Sequence, residues 1–296
     1  MFRNVLVAVD STRDVHPELG RAIHLAKESG GVIRIIDVIK DPSVFSQWLA
    51  PDSVEIEQQL AAQRQESLEQ LASRCRQEGL EATCAILRGR SSEQILAEAI
   101  RIGADLIIRY ARGARSLSIG KLGATAQRLV QRAPCPLFLH RPQHEPIKKI
   151  VAAVDATPQD EEHGALNCQI LEAANQIARS CTAELTMVYA WTLYGDHLLR
   201  NRMPPAQYTA LVEHVKKQHV EGFNQLLTSS QIPTSAGMLL QGNPSEAVPG
   251  FCEQTGADLL VCGTLARRGL SGLLLGNTIE RIMQQVDCSI LAIPPK

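Results

Sequence analysis

The sequence predicts an α/β protein of two tandem domains, each an open five-stranded parallel sheet with helices on both faces. Three observations carry this expectation. Short apolar runs alternate with longer amphipathic segments, the pattern of strands linked by helical crossovers. The whole alternation occurs twice. At 296 residues, with 45% hydrophobic and 21% charged, the chain can pack two ordinary cores and does not read as disordered.

In the first copy the strands fall at 4–9, 31–38, 81–87, 104–109 and 135–140. The helices fall at 15–29, 53–77, 91–101 and 121–132. The first helix ends at Gly30 and Gly31. The long second one carries Ile56, Leu60, Leu68, Leu71 and Cys75 on one face. The copies register in two blocks. Residues 4–12 (NVLVAVDST) match 149–157 (KIVAAVDAT), an offset of 145, and 103–108 (GADLII) match 256–261 (GADLLV), an offset of 153. The second offset also relates Gly89 to Gly242, Gly123 to Gly276 and Cys135 to Cys288. A repeat of this length is a duplicated domain. The second copy gains eight residues before Gly242. The stretch 191–208, with Leu198, Leu199 and Met203, reads as the enlarged region. Polar residues 141–146, with two prolines, read as a linker, giving domains 1–142 and 147–296.

Charge and chemistry narrow the function. A net charge of −1 gives no reason to expect nucleic acid or an anionic membrane as partner. No apolar run is long enough to span a bilayer, and the first residues do not form a signal peptide, so the expected location is cytoplasmic. Eight cysteines form no CxxC pair and read as buried reduced thiols. His214 and His219, five apart on a helix, do not share a face, so no metal site is expected. There is no GxxxxGK[ST] and no GxSxG, and no catalytic set is assigned. Asp105 and Asp258 open strands at the sheet end opposite the expected site.

In an open sheet of this kind the ligand site lies beyond the strand carboxyl ends, where the winding reverses. For an order 3-2-1-4-5 that is between strands one and four, where Asp10 or Asp155 would face a glycine-rich loop. Residues 263–278 (GTLARRGLSGLLLGNT) form that loop in the second copy, between an apolar strand and a helix N-terminus, a place suited to phosphate. Asp10 and Asp155 read equally as caps of the following helix. Asn243, Pro244 and Glu246 read as cap, first helical residue and capping box.

These residues carry a resemblance. The chain resembles tandem universal stress proteins over nearly all of both halves, with the two-domain length and the Leu275-to-Thr278 wording matching that type. The resemblance implies an adenine nucleotide alpha hydrolase-like fold and a nucleotide motif G-x2-G-x9-G-[ST]. In the second half the motif falls on Gly263, Ala266, Gly276 and Asn277, followed by Thr278. In the first it falls on Tyr110, Gly113, Gly123 and Ala124, with Thr125 one place late. Asp155 would meet the adenine and Gly242 the ribose, Asp10 and Gly89 being the counterparts. Tyr110 replaces the glycine that lets backbone approach the ligand, and Ala124 lacks a hydroxyl donor, so the first site is expected to be degenerate. The second is expected to hold ATP or AMP, with Mg²⁺ accompanying ATP; Arg267 and Arg268 read either as added positive charge beside a polyphosphate or as solvated loop arginines.

The resemblance implies a stress-tolerance role under starvation, oxidative or DNA-damaging stress, with an unknown protein partner. The alternative is a nucleotide-independent scaffold or a module for an apolar ligand, built on residues 191–208 and 45–49. Slow ATP hydrolysis comes last. Relatives of one domain dimerise through their last strands. Here 135–140 and 288–293 could pair within one chain, giving a pseudo-dimeric monomer, with a homodimer of such chains as the other assembly.

Overall fold

A computed structural model of the chain describes residues 2–39, 53–111, 122–141, 144–157, 161–264 and 277–295. Gly113, Ala266, Arg267, Arg268, Gly276 and the 45–49 stretch lie outside the described residues; Asn277 is placed in its helix without a described side chain. The chain divides into two compact units, Met1–Gln143 with Ser289–Ala292, and His144–Cys288 with Ile293–Lys296.

Among the described residues the first copy runs β1 (Asn4–Val9), α1 (Pro17–Ser29), β2 (Val32–Ile39), α2 (Ser53–Gln77), β3 (Glu81–Arg88), α3 (Ser91–Ile102), β4 (Leu106–Tyr110), α4 (Ala124–Arg132) and β5 (Leu137–His140). The second runs β6 (Lys149–Ala153), α5 (Glu161–Cys181), β7 (Glu184–Trp191), α6 (Asp196–Arg202), α7 (Pro205–Ser229), β8 (Gly237–Gln241), α8 (Pro244–Thr255), β9 (Leu259–Gly263), α9 (Asn277–Gln285) and β10 (Ser289–Ile293). The strand order is β3-β2-β1-β4-β5 in one copy and β8-β7-β6-β9-β10 in the other. This is the order on which the expected site depended. The β1–β2, β1–β4, β2–β3 and β4–β5 ladders are parallel, as are β6–β7, β6–β9 and β7–β8.

Helices on both faces explain the strand composition. Val5, Leu6, Val7, Ala8 and Val9 are all buried, a continuous apolar run rather than an alternation. In the first unit Leu137, Phe138 and Leu139 pair antiparallel with Ala292, Leu291 and Ile290. The last strands therefore meet, and the edge of β5 is covered.

Local chemistry sets the element ends. Pro17 opens α1, and Gly30 closes it in the left-handed region at φ 62°. Gly31 is required by crowding: a Cβ there would sit 2.9 Å or less from the Phe2 and Arg3 backbone. Asp105 accepts from the backbone N–H groups of Arg3 (2.7 Å) and Asn4 (3.0 Å), and Asp258 from those of Lys148 (2.8 Å) and Lys149 (2.9 Å). Each carboxylate thus ties the start of its unit's first strand to the neighbouring one, a structural role at the far end from the expected site.

Three expectations need correction. The eight extra residues do not enlarge the 191–208 region. β2 and β7 are offset by 152, and so are α2 and α7. Seven of the extra residues therefore lie between β6 and β7, and α5 begins two turns further upstream than α1. Leu60 of α2 is exposed, while Leu68, Ala72 and Cys75 are buried, so among the described side chains the buried face lies in the latter half of that helix. Not every thiol is buried. Cys75, Cys135, Cys252, Cys262 and Cys288 are, but Cys84 and Cys181 are half-buried and Cys168 is exposed.

Candidate functional site

In each unit the winding reverses between β1 and β4, or β6 and β9, which places the crevice of such a sheet at their carboxyl ends. In the second, Asp155 follows β6. Its Oδ1 accepts from the backbone N–H of Thr157 (3.0 Å) and from the Thr157 hydroxyl. In the first, Asp10 does the same with the Thr12 N–H (3.2 Å) and hydroxyl (2.5 Å). The helix-cap reading is therefore wrong for Asp10, and Asp155 makes the same turn, though residues 158–160 before α5 lie outside the described residues. They close a turn within their own loop, and α1 starts later, after His16, without a side-chain cap. Burial acts to raise the Asp10 pKa. The Thr12 hydrogen bonds and the charges of Arg109 and Arg64 outweigh it and hold the carboxyl below its usual value.

The extra turns of α5 shape the second crevice. Asn167 receives the Asp155 N–H on its Oδ1 (3.1 Å) and donates its Nδ2 to the Asp155 carbonyl (2.7 Å), holding the loop at both backbone groups. Gly263 ends β9 against the same helix. A Cβ there would lie 2.6 Å from Leu166 Cδ2 and 3.2 Å from Ile170 Cδ1. Close helix packing is thus sufficient reason for glycine at this position. Tyr189 of β7 is buried, its hydroxyl 2.8 Å from His219 Nδ1 and 3.4 Å from the Thr157 hydroxyl. Trp191 and His219 have ring centroids 5.1 Å apart. His219 thus belongs to an aromatic cluster, and no group of three His, Cys, Asp or Glu suited to a metal exists among the described residues.

Gly242 has φ 142° and donates to the Trp191 carbonyl (2.9 Å). Gly89 has φ 123° and donates to the Ile39 carbonyl (2.9 Å). Both turns need glycine for the backbone alone. Asn243 caps α8 through the Ser245 N–H (3.0 Å) with Pro244 in the first turn. Asn243 Oδ1 also accepts from the Ser245 hydroxyl (2.9 Å), and the capping box does not close, because among the described residues no bond runs from the Asn243 N–H to the Glu246 carboxylate. Gly123 precedes α4 and Thr125 lies half-buried in its first turn, while Thr278 lies exposed in the first turn of α9.

The first crevice has a different chemistry. Asp37, buried at the end of β2, accepts from the Ser11 N–H (3.3 Å), the Ser11 hydroxyl and Arg64 Nη1 (3.2 Å). The guanidinium of Arg13 lies 3.7 Å from the centroid of the Tyr110 ring, a cation–π contact. The loop after β1 is thereby fastened to β2 on one side and β4 on the other, and Tyr110 fills space where the other copy has glycine. Arg109 precedes Tyr110, and Glu18 lies fully buried in the first turn of α1. At equivalent positions the second copy carries Tyr189 for Asp37, Ile170 for Glu18, Cys262 for Arg109 and Gly263 for Tyr110. The family motif does not mark these charges. The available signal was Asp37 and Arg109 standing inside otherwise apolar strand runs.

The Universal stress protein family model matches residues 1–141 and 146–294. The chain belongs to the universal stress protein family. It is 26% identical over 302 residues to universal stress protein E of Photorhabdus laumondii, covering 99% of this chain and 95% of that protein. The universal stress protein E homolog of Haemophilus influenzae is 21% identical, at 99% and 98% coverage. In fold the chain is similar to a functionally unknown protein of Pseudomonas aeruginosa PAO1 (TM-score 0.78, 24% identity, 99% and 93% coverage). It is also similar to a universal stress protein of Archaeoglobus fulgidus (TM-score 0.65, 15% identity, 99% and 96% coverage). This universal stress protein thus has the tandem arrangement along its full length, and no helix among its described residues is long and apolar enough to cross a membrane.

Proposed function

We propose that the protein is a cytoplasmic stress-tolerance protein whose second unit binds an adenine nucleotide, ATP or AMP, while its first does not. One contrast carries this reading. The second crevice keeps the Asp155–Thr157 turn and Gly263 and places Tyr189 and Cys262 where the first has Asp37 and Arg109. An uncharged wall accepts an adenine ring, whereas a wall carrying the Asp37–Arg64 ion pair and Arg109, with the Tyr110–Arg13 stack, excludes it. Asp155 would receive an adenine N–H, Gly242 would lie beside the ribose, and the Gly263–Thr278 segment with Ala266, Gly276 and Asn277 would face the phosphates. Mg²⁺ would accompany ATP. Occupancy would act on an unidentified protein partner by ordering that loop, which requires the nucleotide to favour one loop state.

The test is calorimetry of ATP and AMP on the nucleotide-stripped full chain, with and without Mg²⁺, beside a Gly276→Trp variant checked for folding. The expected result is one equivalent, lost in the variant. No heat at millimolar nucleotide, or two equivalents, refutes the reading. A nucleotide-independent scaffold is the second reading, favoured by the exposure of Tyr194 (96%) and Leu198 (60%). Survival assays under starvation, peroxide and DNA damage address the physiological role.

A further inference from the structure

His219, Tyr189 and Thr157 of the second unit form a chain of hydrogen bonds that ends on Asp155. The Tyr189 hydroxyl lies 2.8 Å from His219 Nδ1 and 3.4 Å from the Thr157 hydroxyl, and the Thr157 hydroxyl donates to Asp155 Oδ1. The direction of the chain follows from the chemistry of its end. A carboxylate only accepts, so Thr157 gives its proton to Asp155 and keeps an oxygen that accepts from Tyr189. The Tyr189 oxygen then accepts from the Nδ1–H of His219. The phenol is buried, its ring centroid 5.5 Å from that of His219 and 5.8 Å from that of Phe223. In aromatic surroundings a hydroxyl depends on such partners.

The chain acts on the part of Asp155 that its backbone does not fix. Asn167 holds the Asp155 N–H and carbonyl, which leaves the side-chain torsions to be set. Two bonds from Thr157 to Oδ1 set them, and holding one carboxylate oxygen directs the other. Thr157 itself is exposed, and Tyr189, braced by His219 of α7, steadies its hydroxyl from the interior. The first unit ties the same three elements with a different chemistry. There Arg64 of the long helix reaches Asp37 of β2, which accepts from the N–H and hydroxyl of Ser11, so that tie ends beside Asp10 and not on its carboxylate. We infer that Tyr189 and His219 are positioning residues for the nucleotide site of the second unit, aiming the Asp155 carboxylate at the exocyclic amino group of adenine. This rests on the nucleotide reading proposed for that unit.

The test is calorimetry on the intact, nucleotide-stripped chain with ATP and with purine riboside triphosphate, which lacks only the exocyclic amino group. An aimed carboxylate should make the parent chain prefer ATP by about tenfold, the effect of one hydrogen bond to a charged group. Tyr189→Phe and His219→Leu should each erase most of that preference while leaving the affinity for the analogue within about twofold. Loosened packing alone weakens both nucleotides alike and leaves their ratio unchanged. His219→Asn, whose amide N–H can stand where Nδ1–H stood, should recover the preference at least in part. In an Asp155→Ala background Tyr189→Phe should change nothing further, because it acts through Asp155. A parent chain that binds neither nucleotide overturns the nucleotide reading and this inference together. A parent that binds both equally, or a preference that survives in Tyr189→Phe and His219→Leu, overturns this inference alone. His219 is half-buried on α7, so its variants carry the comparison even where the buried Tyr189→Phe does not fold.

Discussion

Replacing Gly263 by alanine separates a packing reason for this glycine from a ligand reason. The added Cβ would lie 2.6 Å from Leu166 Cδ2, 3.1 Å from Leu166 Cγ and 3.2 Å from Ile170 Cδ1. Ordinary contact needs roughly 3.5–4.0 Å, so Leu166 has to retreat by close to an ångström. Leu166 is buried, and Ile170 behind it is 2% exposed, so the retreat displaces packed atoms rather than water. Inserting a methyl group into a filled core typically costs about 1–3 kcal/mol. With a urea dependence of about 2 kcal/mol per molar, the midpoint should fall by roughly 0.5–1.5 M. Trp191 is buried in the second unit and reports on it, once Trp48, the chain's other tryptophan, is changed to Phe. Gly123→Ala is the control, because nothing lies within 4 Å of its Cβ position and its φ is −65°. It should cost at most about 1 kcal/mol, or roughly 0.5 M in the midpoint, the ordinary difference between glycine and alanine at a helix N-cap. A ligand-free Gly263→Ala protein with an unchanged midpoint would refute the packing argument.

Two further outcomes follow from named groups. Glu98 is held below its usual pKa of 4.5 chiefly by its hydrogen bonds to Arg101 and by Arg34, against the opposing effect of burial. Its stabilising effect is complete above the unfolded value and is lost as pH falls through the folded one, so Glu98→Ala should flatten the acid limb of a stability-versus-pH curve and cost about 2 kcal/mol at neutral pH; an unaltered limb refutes it. Thiol titration with an aromatic disulfide at pH 8 should label the exposed Cys168 first. Cys135 and Cys262, both raised to about 12 by burial, should react only on unfolding, and early labelling of either would contradict the packing around β4 and β9.

The strand carboxyl ends show how far sequence reading reaches. Asp10 and Asp155 are visible as paired, repeated residues, but whether each caps a helix or closes its own turn depends on where the helix starts. That start lies seven residues beyond Asp10 and six beyond Asp155, too far for either to be the residue next to it. Gly263 stands out as a motif glycine, yet nothing local reveals that Leu166, nearly a hundred residues earlier, presses on it. Asp37 and Arg109 interrupt apolar runs and so announce themselves as exceptions. The partners of Asp37, Ser11 and Arg64, come from two other segments.

What the sequence determined by itself is periodic and local. The alternation of apolar strands with amphipathic helices, the duplication, the left-handed glycines at helix ends and the Asn243 cap are each written in neighbouring residues, because hydrogen bonding within helices and turns is short-range. Only the tertiary structure decided which site has a charged wall and which an uncharged one. Burial and charge pairing are sums over side chains that meet from distant segments: β2 and α2 bring Asp37 and Arg64 to the first site, while α5, β7 and α7 bring Asn167, Tyr189 and His219 to the second.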